Sequence, residues 1–429
     1  MRSISVEALL ISVNAQRELA ASLFDRLAEC GQDDPGITRA TYGRGENLAH
    51  DLVSSVATEM QLEVQRDFAV NTYLTLPGVN RSKPCVIIGS HLDSVPNGGN
   101  FDGAAGVVAG LVAVAALKQL GLKPKCDIAV MAVRAEESAW FQVSYIGSRG
   151  ALGTLPEGAL EAKRIDTGHS LAKHVTECGG NPAALSEGRQ YLSPERILAF
   201  LEVHIEQAPS LVEAGLPVGI CTGIPGNFRF PEARILGRYD HVGTPRRFRR
   251  DAMMAAADFA TAMDRVWEEM ESAGHPMAIT FGRFHTDPEM HGLTTVPGEF
   301  RFSLDVRGYS EAALSSVEQR LYLIKQDIEQ RRGVRFELGR RAGAAVGEIS
   351  PSIFSALTTG ANDLGITTMP LGSPASHDAA AFAAAGVPIG MLFIRNENGS
   401  HNPDEAMSLD DFLKAASILT WWLATEICD

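Results

Sequence analysis

Apolar residues recur at helical spacing from position 6 to about 30 and again over 54–61, which predicts amphipathic helices leading into a strand over 62–73. Positions 84–90 form a short, almost wholly apolar run, the pattern of a strand buried on both faces of a parallel or mixed sheet. Residues 104–120 are rich in Ala, Val and Leu with no internal proline and predict a buried helix; 126–133 predict a second core strand. Strand, helix and strand make an α/β unit. Further on, period-2 alternation sets Glu202, His204 and Glu206 on one side of an extended stretch and Leu201, Val203 and Ile205 on the other.

The middle of the chain changes character. Strands are predicted at 228–239, 278–284, 299–307 and 334–339, with helices at 249–272 and 310–330, which is the β-α-β-β-α-β order of a split βαβ unit. We expect this smaller domain at 213–344. It interrupts a larger one formed by 1–212 and 345–429, because 389–394 is another core strand and 409–426 a closing helix. The expected fold is therefore α/β: a mixed-sheet catalytic domain with helices on both faces and an inserted ferredoxin-like α+β domain, suited to act as a lid or dimerisation element over a cleft.

The composition narrows the class. The chain has 429 residues, 45% of them apolar, and a formal charge of -14, enough for two packed domains and unfavourable for nucleic acid, whose phosphates demand clustered Lys and Arg. Arg246, Arg247, Arg249 and Arg250 are the exception, read as a solvated face or an anion contact. Six scattered cysteines without a CxxC pair suit a reducing compartment. With no apolar window long enough for a membrane span and no leader pattern, a soluble cytoplasmic protein is expected.

Chemistry concentrates where the apolar runs stop. The segment 89–103 places His91, Asp93 and Asp102 among glycines at the end of a core strand; Glu136 and Glu137 follow the next strand, His204 ends a third, and His401 lies in a late loop. Alone, His204 is equally a core histidine and His401 a turn residue. Together His91, Asp102, Glu137, His204 and His401 form a ligand set for two divalent ions, with zinc or manganese preferred and cobalt or nickel compatible. Asp102 is the natural bridge, shared by His91 and His204 on one side and by Glu137 and His401 on the other. Asp93 is placed to fix the tautomer of His91. Glu136 is left over as a general base.

The ordered motifs resemble the M20 metallopeptidase superfamily, and within it the amidase branch of N-carbamoyl-L-amino-acid hydrolases, β-ureidopropionases and allantoate amidohydrolases. They include Thr38-Arg39, the 89–103 loop, Glu136-Glu137, Gly147-Ser148-Arg149, His204-Ile205-Glu206-Gln207, His241-Val242-Gly243-Thr244-Pro245, Asp305-Val306-Arg307, Ser376-His377-Asp378-Ala379 and Ser400-His401-Asn402-Pro403-Asp404-Glu405. The resemblance implies that Gln207, Arg307 and His377 contact a small carboxylate-bearing substrate. It also implies that His241 reaches the neighbouring subunit of a homodimer to stabilise an oxyanion. Arg307 suits a carboxylate through its planar donor fork, although it is equally able to pair with Asp305.

Two departures bear on substrate. Trp140 stands where the family pattern carries an arginine, and Thr294 where it carries an asparagine amide, so both are candidate substrate contacts and Trp140 a candidate aromatic platform. The expected activity is a two-metal amidohydrolase that cleaves a linear C–N bond of a small N-carbamoyl or ureido amino acid, with metal-activated water and Glu136 as general base. The alternatives are an aminoacylase or aromatic-amide hydrolase of the same fold, and a catalytically inactive small-molecule binding protein.

Overall fold

The computed structural model describes residues 5–429, so the first four residues of the domain expected at 1–212 lie outside the described ones. The larger of two compact units comprises Met1–Ile224 and Glu348–Asp429. Its eight-stranded mixed sheet runs in the order Glu63–Arg66, Thr72–Leu76, Ile128–Val133, Cys85–His91, Ile197–Ile205, Ile389–Ile394, Val218–Gly223, Thr368–Gly372. The third to sixth strands are mutually parallel, and the neighbours on both sides meet them antiparallel.

The apolar runs are explained by burial on two faces. Val86 and Ile88, Val130 and Ala132, Leu201 and Val203 enter one core with the helices Ala104–Gln119 and Leu409–Trp422. The alternating residues Ile87, Met131 and Phe200 enter a second core with Ile146–Leu152 and Asp378–Ala384. Helix Ala104–Gln119 is apolar all round because the sheet lies beneath it and further helices lie above. At Gly106 an added Cβ would stand 2.4 Å from the Val203 carbonyl oxygen and 2.6 Å from Ser90 Cβ. Only glycine lets this helix settle so close to the strands that carry His91 and His204.

Strand order also decides where function can sit. From Cys85–His91 the chain passes through the helix to Ile128–Val133 on one side, and later returns to Ile197–Ile205 on the other side of the same strand. Connections that depart in opposite directions leave a crevice beyond the carboxyl ends of the strands. His91 and His204 lie at those ends.

The smaller unit is Pro225–Gly347. Its six-stranded sheet has Phe284–Thr286, Glu299–Gly308, Gly226–Leu236 and Arg335–Glu337 in that order, with Met277–Thr280 paired to Glu299–Gly308 and Ala342–Ala344 to Gly226–Leu236, all antiparallel. Helices Ala252–Ser272 and Glu311–Arg332 cover one face through Phe259, Met263, Val317 and Leu321, which gives the split βαβ arrangement.

Three sequence expectations shift; the strand expected over 278–284 is Met277–Thr280, with Phe284–Thr286 a separate strand. Residues 213–224, placed with the smaller domain, stay with the larger one because Val218–Gly223 pairs with Ile389–Ile394 and Thr368–Gly372; the later boundary moves from 344 to Gly347. The single strand expected over 62–73 is two strands, Glu63–Arg66 and Thr72–Leu76. Between them Asp67 accepts hydrogen bonds from the amides of Ala69 and Asn71, and Val70 takes φ 65°, a turn that apolar pattern alone does not announce. Among the described residues no helix is long and apolar enough to cross a membrane.

Gly106→Ala is expected to cost about 1–3 kcal/mol through overpacking against the sheet, read as a lower midpoint of denaturant unfolding. Leu48→Ala, at an exposed position, is expected to stay within about 0.5 kcal/mol.

Candidate metal centre

His91 is the last residue of its strand and His204 the next to last of its own. Each ring is fixed from behind: His91 Nδ1 lies 3.0 Å from the carbonyl oxygen of Asp93, and His204 Nδ1 lies 2.9 Å from that of Ile205. Both Nε2 atoms are thereby turned toward Asp102. They reach the same oxygen, Oδ1, at 3.4 Å and 3.2 Å. The other oxygen, Oδ2, lies 3.3 Å from His401 Nε2, which is also 3.3 Å from Glu137 Oε1.

One carboxylate thus faces two ligand sets with two different oxygens. His91, Asp102 and His204 form one group whose ligand atoms lie within 4.8 Å of one another, and Asp102, Glu137 and His401 form another. These are two clusters positioned to bind divalent ions, and imidazole with carboxylate suits zinc or manganese. Asp102 Oδ1 is buried without a hydrogen-bond donor, the condition of an oxygen reserved for a cation. A third grouping, Glu202, His204 and His377, shares His204. Its other members are engaged elsewhere: Glu202 accepts from Ser90 Oγ and the Ala379 amide, and His377 Nε2 lies 2.9 Å from Ser373 Oγ.

The electrostatics agree with this reading. Burial works against ionisation of Asp102, but the close imidazoles of His204, His401 and His91 outweigh it and hold its pKa well below the usual carboxylate range. Burial likewise opposes charge on His91 and His204, yet the Asp102 carboxylate raises both. Hydrogen bonds to Asp102 and Glu137 push His401 to about 11. Imidazole holds an ion only in its neutral form, so an ion competes with protons at these histidines. Burial and repulsion from His204 hold His377 well below the ordinary histidine value.

The 89–103 loop is shaped by residues whose roles sequence reasoning missed. Arg39, fully buried, donates to the carbonyl oxygens of Leu92 and Asn100. Glu405 accepts from the amides of Phe101 and Asp102 at 2.8 and 3.2 Å. Ser400 Oγ lies 2.6 Å from Asp102 Oδ2 and 2.7 Å from Glu405 Oε2, and Gln207 Nε2 donates to Asp102 Oδ2 at 2.7 Å. Gly103 has φ 67°, and a Cβ there would lie 2.5 Å from His91 Nδ1; the bare glycine lets the loop lie against the imidazole. The motifs contained Arg39, Ser400 and Glu405, but only the meeting of remote loops reveals what they hold.

Asp93 departs in detail from its expected role. Its main-chain carbonyl, rather than its carboxylate, lies nearest the ring of His91, the carboxylate standing 3.5 Å away. The carboxylate accepts from Thr41 Oγ1 and from the amides of Glu136 and Glu137. It therefore fixes the bend that sets a ligand and the proposed base side by side. Burial, reinforced by Glu137, Asp378 and Asp93 and opposed by His91, drives the Glu136 carboxyl well above its ordinary value.

Trp140 is not an open aromatic platform. It is buried beside Tyr42 and Phe141, and its Nε1 donates to the Ser94 carbonyl at 2.8 Å. An indole whose faces and donor are both occupied is a core anchor for the 89–103 loop. In the smaller unit Arg307 pairs with Asp305 at 3.0 Å, the alternative its spacing allowed. His241 is exposed and paired in register with Thr295, beside Thr294, whose carbonyl accepts the Val242 amide.

A mixed α/β sheet that carries two imidazole–carboxylate clusters joined by one aspartate defines a metal-dependent hydrolase. The chain belongs to peptidase family M20/M25/M40, which matches residues 87–424, and to its amidase, hydantoinase/carbamoylase branch. The N-carbamoyl-L-amino acid amidohydrolase of Geobacillus stearothermophilus is 36% identical over 411 residues, 94% of this chain and 98% of that protein. A ureidoglycolate hydrolase of Arabidopsis thaliana is 28% identical over 401 residues, 91% of this chain and 82% of that one. The crystal structure of a hydantoinase/carbamoylase family amidase from Burkholderia ambifaria superposes with a TM-score of 0.78 at 26% identity, covering 96% of this chain and 98% of the other. The protein is a metal-dependent C–N hydrolase.

The metal-depleted protein is expected to take up two divalent ions per chain in equilibrium dialysis, Asp102→Ala to retain neither, and His401→Ala to keep one. Because protonated imidazole competes with the ion, affinity is expected to fall as pH is lowered, and loading to release protons into an unbuffered solution.

Proposed function

We propose that the protein hydrolyses the carbamoyl or ureido C–N bond of a small N-substituted amino acid. The observation that carries this reading is the division of the Asp102 oxygens between two ligand sets, with Glu136 set beside the ligand Glu137 by the bend that Asp93 holds. When bound, the ions lower the pKa of a water molecule and polarise the scissile carbonyl. Glu136 takes a proton from that water as its oxygen bonds to the carbonyl carbon. The same carboxyl then returns the proton to the amino-acid nitrogen as the C–N bond breaks. The products are the free amino acid and carbamate, which decomposes to carbon dioxide and ammonia.

Gln207, Arg307 and His377 are the proposed substrate contacts, Arg307 meeting the carboxylate with its donor fork. Thr294, whose carbonyl is held by the Val242 amide at the turn that carries His241, is proposed to meet substrate through its hydroxyl. His241 is proposed to stabilise the oxyanion in the partner's site within a homodimer. The names of the relatives support the substrate class, since they act on N-carbamoyl-L-amino acids and ureidoglycolate. An aryl amide loses its main support with Trp140 committed to the core.

In a panel of N-carbamoyl, ureido, acyl and aryl-amide compounds with defined metals, ammonia release is expected from the first two classes. Glu136→Gln is expected to keep both ions and lose about 10²–10⁴ in kcat; wild-type turnover by that variant would remove Glu136 from the role. Mixing inactive His241→Ala and Glu136→Gln subunits under exchange is expected to recover about one quarter of the wild-type sites, those of mixed dimers that combine intact Glu136 with the partner's intact His241. No recovery from an exchanged mixture would contradict action across subunits.

A further inference from the structure

The smaller unit contains a cavity of about 1400 Å³ whose lining includes seven arginines and a single carboxylate, Asp251. Four of the arginines, Arg246, Arg247, Arg249 and Arg250, come from five consecutive residues, in a chain whose net charge is -14. Such an island of one sign needs either internal counter-charge or an external ligand.

Counter-charge covers only part of it. Arg331 and Arg332 are answered by Asp327 and Asp258, and Arg238 pairs with Asp240. Asp251 is occupied as the cap of helix Ala252–Ser272, accepting the Met254 amide. Arg249 donates to the carbonyl oxygens of Thr244 and Val242, which neutralise no charge. Arg246, Arg247 and Arg250 make no ion pair among the described residues, and the Arg247 guanidinium lies 4.6 Å from the centroid of the Phe248 ring, which holds it without discharging it. The amino end of a 21-residue helix adds positive potential on the same side.

We propose that this cavity is a binding site for a multiply charged oligophosphate. Guanidinium forks match phosphate oxygens two at a time. Several uncompensated forks beside a volume far larger than one phosphate favour a chain of phosphate groups over a single ion. The site lies in the smaller unit, whereas all five proposed metal ligands belong to the larger one. Its occupancy bears on the turn that carries His241, because Arg249 grips that turn at Val242 and Thr244.

The test is calorimetric titration of the metal-loaded, full-length protein with inorganic triphosphate and, separately, inorganic monophosphate. Saturable binding of one triphosphate per chain is expected, at least tenfold tighter than monophosphate and weakened at least tenfold between 50 and 200 mM salt. The triple variant Arg246→Ala, Arg247→Ala, Arg250→Ala is expected to lose at least tenfold in affinity while keeping its thermal midpoint and metal content. Triphosphate can also extract metal, so metal content is measured after each titration; heat that persists in the triple variant and tracks metal loss would overturn the proposal. Equal affinity for the two anions, or no saturable binding, would overturn it as well.

Discussion

The centre depends on one carboxylate pointing two ways. Asp102 turns Oδ1 toward His91 and His204 and Oδ2 toward His401, and each remaining feature of the site serves to keep that side chain in place. The loop that carries it is tied by the buried guanidinium of Arg39 at Leu92 and Asn100 and by Glu405 at the amides of Phe101 and Asp102. Ionising an aspartate at this depth is costly, and the three imidazoles around Asp102 offset that cost. A cation held by each ligand set would do the same work with more charge.

The fold delivers the parts to this point. Parallel strands buried on both faces admit few polar side chains along their length, so polar chemistry collects at their carboxyl ends, and the reversal of connections around Cys85–His91 opens the crevice where His91 and His204 end. Close packing supports the geometry from below: Gly106 lets the helix rest on the Val203 carbonyl, and Gly103 lets the loop lie on the His91 ring. Neither position tolerates a side chain without moving a ligand or the strand that holds it.

Much of this was legible in the sequence because its signals are local. The strand at Ile389–Ile394 and the helix starting at Ala104 follow from runs of apolar residues, and the ligands stand where those runs stop. What escaped depends on contacts between distant segments. Trp140 was open to reading as a substrate contact because nothing local says that its indole nitrogen meets the Ser94 carbonyl, 46 residues away. Glu405 acts on a loop 303 residues earlier, and Asp93 carries a main-chain role that residue identity does not encode. The boundary near 224 was missed because Val218–Gly223 reads as a strand in either unit until its partners are known.

The central claim, a pair of ions bridged by Asp102, is tested most directly by anomalous diffraction from crystals of the zinc- or manganese-loaded protein. The account predicts two peaks about 3.5–4 Å apart, one on each side of the Asp102 carboxylate, the first against His91 and His204 and the second against Glu137 and His401. A single ion, or an ion seated between Glu202 and His377 with Asp102 left unbridged, would contradict it.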